Sequence, residues 1–459
     1  MAGLNAVGDF ELSKAELITS SGMVIDLSAS IINITIFEDT TMSSITGDIL
    51  LQDSFALTSV GPIIGQEYLK LQIKTPSLTD KDQIIDFTEN VFIVNSLESR
   101  VEVGNSVTAY LLNFTSSEIV RNARTKVSRS LKGSYSEIVK IMLGEVECKK
   151  KMYIEPTAGS KRIVAPNIRP FDVIKMAMKQ SISKFYTSLQ SLYAQPSSQT
   201  YTTFVSGSSI DKGGITNVEK ELANVIDFEI IENPNSIVNY TGGAFASNLI
   251  VHDIFSKTYK KYKYGIFDEF RKENHITKYH KKNKIDFPIY SHVFVDEQER
   301  TVQDFPARTF VTSTSNLLDK DAENSTENNT FPFNPVNAQD WLQRRVSQKI
   351  QLEQGLLVNI LTHGNTIVSA GDIVRLDLPF NSSFKTTDGQ KNDRFYKGMF
   401  LVKRLRHDFD FGEKKHKTFL TLVKDSLEET LDGPEDNPEP KPKKSAGLFE
   451  DREDFYPDI

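Results

Sequence analysis

Residues 356–380, LLVNILTHGNTIVSAGDIVRLDLPF, predict a pair of β-strands turned around a glycine-containing bend. The apolar residues that alternate along the two strands are Val358, Ile360, Val374, Leu376 and Leu378. A period of two is typical of strands that bury one face in an antiparallel sheet. Arg375 and Asp377 occupy the opposite face, and the stretch holds no nucleophile, metal-ligand cluster or phosphate-binding loop. The best-patterned segment of the chain therefore indicates architecture and no chemistry.

The second of these strands belongs to an internal repeat. The matched segments, in chain order, are LKLQI (69–73) with VRLDL (374–378), FIV (92–94) with FLV (400–402), and YLL (110–112) with FLTL (419–422). The alternative is a chance likeness between alternating strands, since short strand patterns are weakly specific. The shared order and near-equal spacing favour two copies of one β-domain, with the second copy split by an insertion.

Composition places the chain among folded globular proteins. Its 459 residues, 39% hydrophobic and 25% charged, exceed one ordinary core and predict two to four domains. The single cysteine, Cys148, excludes an internal disulfide framework. No N-terminal signal pattern and no run of 18 apolar residues occurs, so we expect a chain without a membrane segment.

The net charge of −7 is concentrated in the C-terminal tail. Residues 428–459 hold 11 acidic and 4 basic residues, which leaves residues 1–427 close to neutral. A neutral body argues against general nucleic-acid binding, which requires an excess of basic surface. The lysine- and tyrosine-rich segment KTYKKYKYG (257–265) is either a stacking surface for single strands or an edge strand whose lysines prevent unwanted pairing. The neutral body favours the edge strand.

The pattern along the chain predicts an α+β, mainly β protein with two related antiparallel β-barrels, a small α+β insert and an irregular peripheral insertion. The expected boundaries are 1–116 for the first barrel, 117–210 for the α+β unit, 211–265 and 340–427 for the two parts of the second barrel, 266–339 for the insertion, and 428–459 for a disordered acidic tail.

Three local signals give finer expectations. A capping box from Ser134 to Glu137 predicts a helix start, and Pro170 predicts another. Gly242-Gly243 is typical of a hairpin turn. The residues expected to form the packing faces of two helices are Phe171, Ile174 and Met178, and Leu342, Val346 and Ile350.

Motifs for catalysis and metal binding are missing from the sequence. The seven histidines show no metal-ligand spacing, and His275 and His280 stand in a lysine-rich segment. Cys148 has no nearby histidine as a base, so we interpret it as an ordinary thiol. Nucleophile-elbow, phosphate-loop and dinucleotide fingerprints are absent as well. We therefore expect no enzyme activity, no metal and no cofactor.

The layout resembles the central baseplate hub protein of contractile phage tails, of which the T-even hub is the closest analogue. Relatives occur in type VI secretion and contractile injection systems. The segments that carry the resemblance are WLQRRVSQKIQLEQG, LLVNILTHGNTIVSAGDIVRLDL, FYKGMFLVKRLRHDF and KTFLTLVKD, within 341–424, with SITGDILLQD, NIRPFDVIKMAMKQS and VNYTGGAFASNLIVHDIFSKTY upstream.

The resemblance implies a homotrimer in the virion baseplate, assembled in the host cytoplasm. Its two barrels alternate around a pseudo-six-fold ring that joins hexameric tail-tube rings to a trimeric central spike. Neighbouring baseplate proteins are further partners, and genomic DNA passes through without specific binding. The strand residues expected to face the lumen or a neighbouring protomer are Lys70, Gln72, Arg375 and Asp377.

Two alternatives and one further site stay open at this point. The chain is alternatively a tail-associated peptidoglycan hydrolase, or a receptor- or glycan-binding tail module. The end of the tail is either a disordered end without a partner or a peptide that docks and folds on one. The candidate docking anchors are Leu448, Phe449, Phe455 and Tyr456.

Overall fold

The computed structural model confirms a mainly β protein with few helices. It describes residues 7–60, 63–76, 84–104, 107–150, 161–181, 203–205, 224–232, 236–253, 257–269, 302–314, 338–353, 355–379 and 392–427, with single positions at 152, 154, 156, 157, 275, 276 and 300. Within these residues, no helix is long and apolar enough to cross a membrane.

Strands of the first part of the chain are β1 (Glu11–Ile18), β2 (Val24–Asp26), β3 (Ile31–Asp39), β4 (Thr46–Asp53), β5 (Tyr68–Lys74), β6 (Ile85–Gly104), β7 (Val107–Ser116), β8 (Val127–Gly133) and β9 (Lys161–Ile168). The later strands are β10 (Thr203–Val205), β11 (Val225–Glu232), β12 (Ala246–Asp253), β13 (Thr258–Gly265), β14 (Arg308–Thr314), β15 (Leu356–His363), β16 (Ile373–Pro379), β17 (Asn392–Asp410) and β18 (Lys415–Lys424). The α-helices are α1 (Leu57–Val60), α2 (Ser117–Arg124), α3 (Tyr135–Glu145), α4 (Pro170–Gln180), α5 (Ser236–Gly242), α6 (Ile266–Glu269) and α7 (Arg345–Glu353). A 3₁₀ turn spans Val302–Asp304, and a π-helical segment, Gln339–Arg344, leads into α7.

Thirteen strands form one sheet that consists of two halves with the same strand order. The first half runs β3-β4-β7-β6-β5-β1, and the second runs β11-β15-β18-β17-β16-β10. Taken in that order, the two sets of six strands also correspond in their positions along the chain. The main difference is the last pairing, which is antiparallel for β1 with β5 and parallel for β10 with β16.

The two halves agree in register as well as in order. Leu69 lies opposite Phe92 in the first half, and Val374 lies opposite Phe400 in the second. A bulge then follows two residues after each phenylalanine, between Val94 and Ser96 and between Val402 and Arg404. The repeat predicted from the sequence is therefore present as a repeat of strand pairing.

The turn that precedes β5 in the first half and the turn that precedes β16 in the second half are built in the same way. The carboxylate of Glu67 accepts the backbone N–H of Ile64 at 2.7 Å, and that of Asp372 accepts the N–H of Ser369 at 2.8 Å. The carbonyls of these two acidic residues accept the N–H groups of the equivalent valines, at 2.9 and 2.8 Å. An acidic residue that caps its own turn thus positions β5 and β16 against β6 and β17.

Separate hydrophobic cores lie in the two halves, and one antiparallel ladder joins them. The first core is formed by β1–β7 and the second by β11 and β15–β18. The joining ladder pairs residues 33–39 of β3 with residues 404–410 of β17. We call this ladder the seam. Asn33 donates to Asp408 across the seam at 2.7 Å, and Arg404 donates to Asp39 at 2.7 Å.

Two expectations about the sheet need correction, and a third is not confirmed. The strands of 356–380 are β15 and β16 with the expected faces buried, but they do not pair with each other: β15 lies between β11 and β18, and β16 between β10 and β17. The third repeat match, which aligned Tyr110 with Phe419, is displaced by one residue. Val94 lies opposite Phe114 in the first half and Val402 lies opposite Leu422 in the second, so Tyr110 corresponds to Thr418. No ladder among the described strands closes either half, so two closed barrels are not confirmed.

A second sheet takes strands from the range expected for the second barrel. β12 and β13, within 211–265, pair with β14 in a three-stranded sheet of order β13-β12-β14. The lysine-rich β13 is an edge strand, as predicted. Gly243, at φ +81°, ends α5 in place of the expected hairpin turn, because its N–H and that of Ala244 bond back to the carbonyls of Tyr240 and Asn239.

The α+β unit packs α3 and α4 against the two-stranded antiparallel sheet of β8 and β9, whose strands are connected through α3. Ser134 caps α3 with Glu137 in a reciprocal capping box, and Pro170 opens α4, as the sequence predicts. The expected face of α4 is wrong at Met178, which is 41% exposed, because Val173 and Ala177 face α3 instead.

The helix before β15 buries its polar residues more completely than its apolar stripe. Leu342, Val346 and Ile350 are only half-buried, whereas Arg345, Ser347, Gln348 and Gln351 are buried. The Arg345 guanidinium donates to the carbonyls of Met178, Lys179 and Ser181 at the end of α4. Apolar periodicity misjudged this helix because hydrogen-bond partners on surrounding elements satisfy its polar face.

Candidate functional site

The strand residues predicted as interface candidates occupy equivalent places in the two halves. Lys70 and Gln72 lie on β5, and Arg375 and Asp377 lie at the matching positions of β16. All four side chains are half-buried, on the face opposite the core residues of their strands. The structure thus brings the members of each pair together on one strand face, and leaves the two pairs in different halves.

Charges of both signs surround the first pair. Lys70 lies opposite Glu16 of β1, and Gln72 lies opposite Lys14 and donates to Asp86 at 3.1 Å. Lys14 and Glu16 themselves form an ion pair of 3.2 Å. A face of alternating charge suits polar contacts with another protein, whereas a polyanion would require an excess of basic groups.

The second pair is internally neutral. Arg375 Nε lies 3.4 Å from Asp377 Oδ2, and the residues opposite them on β17 are Met399 and Lys397. Lys424 donates to the backbone carbonyl of Lys397, and its ammonium lies over the Phe400 ring at 5.1 Å. The charged side chains that meet on this face are Arg375 and Lys397 against Asp377, so the face is weakly basic, and it carries no nucleophile with an adjacent base.

A cleft of about 710 Å³ lies at the seam, where β3 meets β17 of the second half. Its lining comes from the β3–β4 hairpin and from β11, β15, β17 and β18. The Arg406 guanidinium stacks 3.7 Å from the Phe419 ring centroid in its wall. Burial opposes ionisation of Asp39, but hydrogen bonds from Thr41 and the charge of Arg404 outweigh it and lower the pKa of Asp39.

Glu38 forms a further contact across the seam. Its carboxylate accepts the backbone N–H of Ala370 at 3.0 Å, in the turn that Asp372 caps. Burial raises the pKa of Glu38 to about 6, with a smaller contribution from the negative charge of Asp372. The seam is therefore held by carboxylates of β3 that bond to backbone and arginine groups of the second half.

Sequence reasoning missed a buried histidine pair next to the seam. The Nδ1 atom of His407 lies 3.0 Å from Nε2 of His416, and the His416 ring stacks on Phe409 at 4.0 Å. Burial lowers the pKa of His407 to about 4, and burial together with the neighbouring His407 lowers the pKa of His416 as well. The signal in the sequence was the β17–β18 hairpin, in which residues 407 and 416 stand on one face.

Other candidate groups have structural surroundings. His275, which the sequence places in a lysine-rich segment, is buried and lies 3.0 Å from Asp425. Cys148 is half-buried, and burial raises the pKa of its thiol, which agrees with an ordinary thiol. In the part of the chain that the structure describes, no three potential metal ligands cluster. The tail anchors Leu448, Phe449, Phe455 and Tyr456 lie outside the described residues.

Comparison with known proteins gives structural similarities only. No protein-family model matches the chain, and no curated protein matches it. A tail protein from Neisseria meningitidis MC58 is 10% identical, with 91% of this chain and 97% of that chain covered and a TM-score of 0.47. The 43 kDa tail protein of prophage MuSo2 from Shewanella oneidensis is 9% identical, with coverages of 90% and 98% and a TM-score of 0.46. An E. coli component of the type VI secretion system is 7% identical, with coverages of 90% and 76% and a TM-score of 0.34.

Proposed function

We propose that this chain is a structural hub of a contractile phage tail baseplate. In this proposal three copies form a ring whose six halves are nearly equivalent. The ring joins hexameric tail-tube rings on one side to a trimeric central spike on the other, and surrounds the channel through which DNA leaves. Each half contributes one barrel-like unit of the ring wall.

The observation that carries the proposal is the repeat of strand order and register in the two halves. A chain that contains the same six-stranded unit twice presents two similar surfaces, and three such chains present six. Such a chain suits a place where a three-fold assembly must meet a six-fold one, because symmetry matching requires one binding surface for each partner subunit.

The strand faces of the candidate site suit the same role. Lys70 with Gln72, and Arg375 with Asp377, would face the lumen or a neighbouring subunit. Their low net charge, one positive over the four side chains, would let DNA pass the wall without being retained, since strong phosphate binding requires a strongly basic surface. The acidic tail, with its anchors at 448–456, is proposed to dock on a neighbouring baseplate protein.

The solution mass of the recombinant chain tests the proposal. Multi-angle light scattering is expected to give three times 51.8 kDa, either for the chain alone or after addition of its spike protein. The assembled species is expected to bind preformed tube rings. A chain that stays a monomer with both partners, and binds neither, would overturn the hub function.

A zymogram separates this function from the hydrolase alternative. Purified chain is expected to leave a peptidoglycan gel intact at concentrations where a lysozyme control clears it. Clearing by the purified chain, abolished by heat, would contradict a purely structural role.

A further inference from the structure

The seam shows how one half of the sheet pairs with the other. In this antiparallel ladder Asp408 of β17 lies opposite Thr35 of β3, and Phe409 lies opposite Ile34. The strand that crosses over is the distal part of β17, beyond the bulge at Lys403, where β16 no longer accompanies it. The seam is thus a contact between two defined strand edges, one from each half.

The repeat assigns an equivalent to each of these edges. β11 corresponds to β3, because Phe228 lies opposite Ile360 as Ile34 lies opposite Ile49. The distal part of β6 corresponds to that of β17. In the first half Glu102 lies opposite Thr108, and in the second half Phe409 lies opposite His416 at the equivalent register position. Glu102 is therefore the equivalent of Phe409.

In the part of the chain that the structure describes, both equivalent edges are open. β11 ends the strand path, and β5 accompanies β6 only as far as Ile93, so neither outer edge has a strand partner among the described residues. An open edge presents unpaired backbone N–H and C=O groups to any strand that can reach it.

The two open edges also expose aliphatic side chains to solvent. The exposed fractions are 47% for Ile226, 40% for Ile230 and 43% for Ile231 on β11, and 58% for Val101 and 62% for Val103 on β6. Branched aliphatic side chains on an edge strand favour pairing, and burying them removes apolar surface from water.

We propose that β11 of one copy pairs antiparallel with residues 96–104 of β6 in a second copy, in the register of the seam. This places Val101 opposite Glu229 and Glu102 opposite Phe228. The same register brings positions 98 and 232, both glutamates, opposite each other at the last residue of β11. The inference rests on the proposed function in taking the copies to form a closed ring. Because the two edges lie on different parts of the chain, every copy uses one edge toward each neighbour.

Disulfide trapping tests this register in the full-length chain. Cysteines are introduced in a Cys148→Ser background as Val101→Cys with Glu229→Cys, and separately as Glu102→Cys with Phe228→Cys. Two pairs are used because hydrogen-bonded and non-hydrogen-bonded pairs alternate, and their Cβ separations differ. The matched control joins Glu229→Cys to Val24→Cys, which is 56% exposed on β2 at the other end of the sheet.

After mild oxidation, at least one register pair is expected to shift the non-reducing gel band from 51.8 kDa to two and three times that mass. The control pair should stay at the mass of one chain. Mixing a chain that carries only Val101→Cys with one that carries only Glu229→Cys should give two-chain species and nothing larger.

A failure of the proposed strand pairing and a failure of the proposed hub function give different results. If light scattering shows a trimer while neither register pair links, or while the control links as well as they do, the proposed strand pairing is wrong and the hub function stands. If the Cys148→Ser chain remains a monomer with its spike and tube partners, both are overturned. Circular dichroism of each variant confirms that it has kept the fold of the parent chain.

Discussion

Replacing the buried histidine pair should make the protein more resistant to acid. We consider the double variant His407→Leu/His416→Leu, which removes both partners of the 3.0 Å ring contact together. Removal of one partner alone would leave a buried polar nitrogen without its hydrogen bond, at a cost of about 1–3 kcal/mol. The double change replaces two neutral rings by apolar side chains of similar volume.

The expected effect follows from the direction of the pKa shifts. Burial lowers the pKa of His407 from 6.5 to about 4, so between these pH values the unfolded chain binds more protons than the folded one. The stabilisation from the neutral ring is therefore complete above pH 6.5 and is lost as the pH falls toward 4. At pH 5 the loss is about 2 kcal/mol for His407. Burial and the neighbouring His407 lower the pKa of His416 as well, so its contribution has the same sign and the pair loses more than His407 alone.

Glu38 acts in the opposite direction and must be separated from this effect. Its pKa is raised from 4.5 to about 6, so the folded state binds the extra proton between these values and gains stability as the pH falls. The gain at pH 5 is about 1 kcal/mol. Because Glu38 is unchanged in the double variant, its contribution cancels when the two chains are compared.

Urea unfolding followed by circular dichroism at pH 7 and pH 5 measures the difference. The parent chain should lose at least about 2 kcal/mol more than the double variant between the two pH values. A variant at the exposed His252, His252→Leu, should lose as much as the parent. Equal losses in the parent and the double variant would show that the buried pair is not what makes the fold sensitive to acid.

Three further changes test other parts of the structure. Arg345→Gln removes the charged donor from three carbonyls at the end of α4 and should lower the free energy of unfolding in urea by about 2–4 kcal/mol. Residues 161–181 should then be cleaved faster by a protease. An unchanged cleavage rate would show that Arg345 does not hold the end of α4 in place. Gly364→Ala places a Cβ on the His416 ring and should lower the stability measured by thermal unfolding by about 1–3 kcal/mol. Gly144→Ala, with open space around the added Cβ, should not lower it. Equal melting temperatures of the two variants would refute the packing argument. Deletion of 433–459 should weaken binding to one baseplate partner and leave self-association unchanged; full binding to every partner would exclude docking by the tail.

Strand existence and facing were predictable because they depend on local periodicity. Leu376 and Val358 are buried, as their alternation along the strands predicts. Phe92 and Phe400, which the repeat aligned, also occupy equivalent register positions in the two halves of the sheet. Helix starts were equally local: the Ser134 capping box needs only residues three apart. These features are encoded within a few residues of one another.

Strand partners and polar burial were not predictable from local pattern. Nothing in β15 distinguishes β16 from β18 as a neighbour, because all three alternate alike and the choice depends on chain segments far away. The buried polar face of α7 depends on carbonyls of α4, and the histidine pair depends on the pairing of β17 with β18. Lys70 and Arg375 lie on the strand faces opposite the core, and their contact with a lumen or a neighbouring protomer stays a prediction.

The seam also sets an order for biosynthesis. It joins residues 375 positions apart, from Asn33 to Asp408, so β3 is made early and receives its neighbour only when translation is nearly complete. Throughout that interval the nascent chain carries an unsatisfied edge of the same kind as β11. Contacts of such long range form slowly, and exposed edges invite pairing with other chains. If β11 pairs with β6 of a second copy as proposed, a prematurely terminated chain would keep a similar open edge and would compete with β11 for β6 of intact copies.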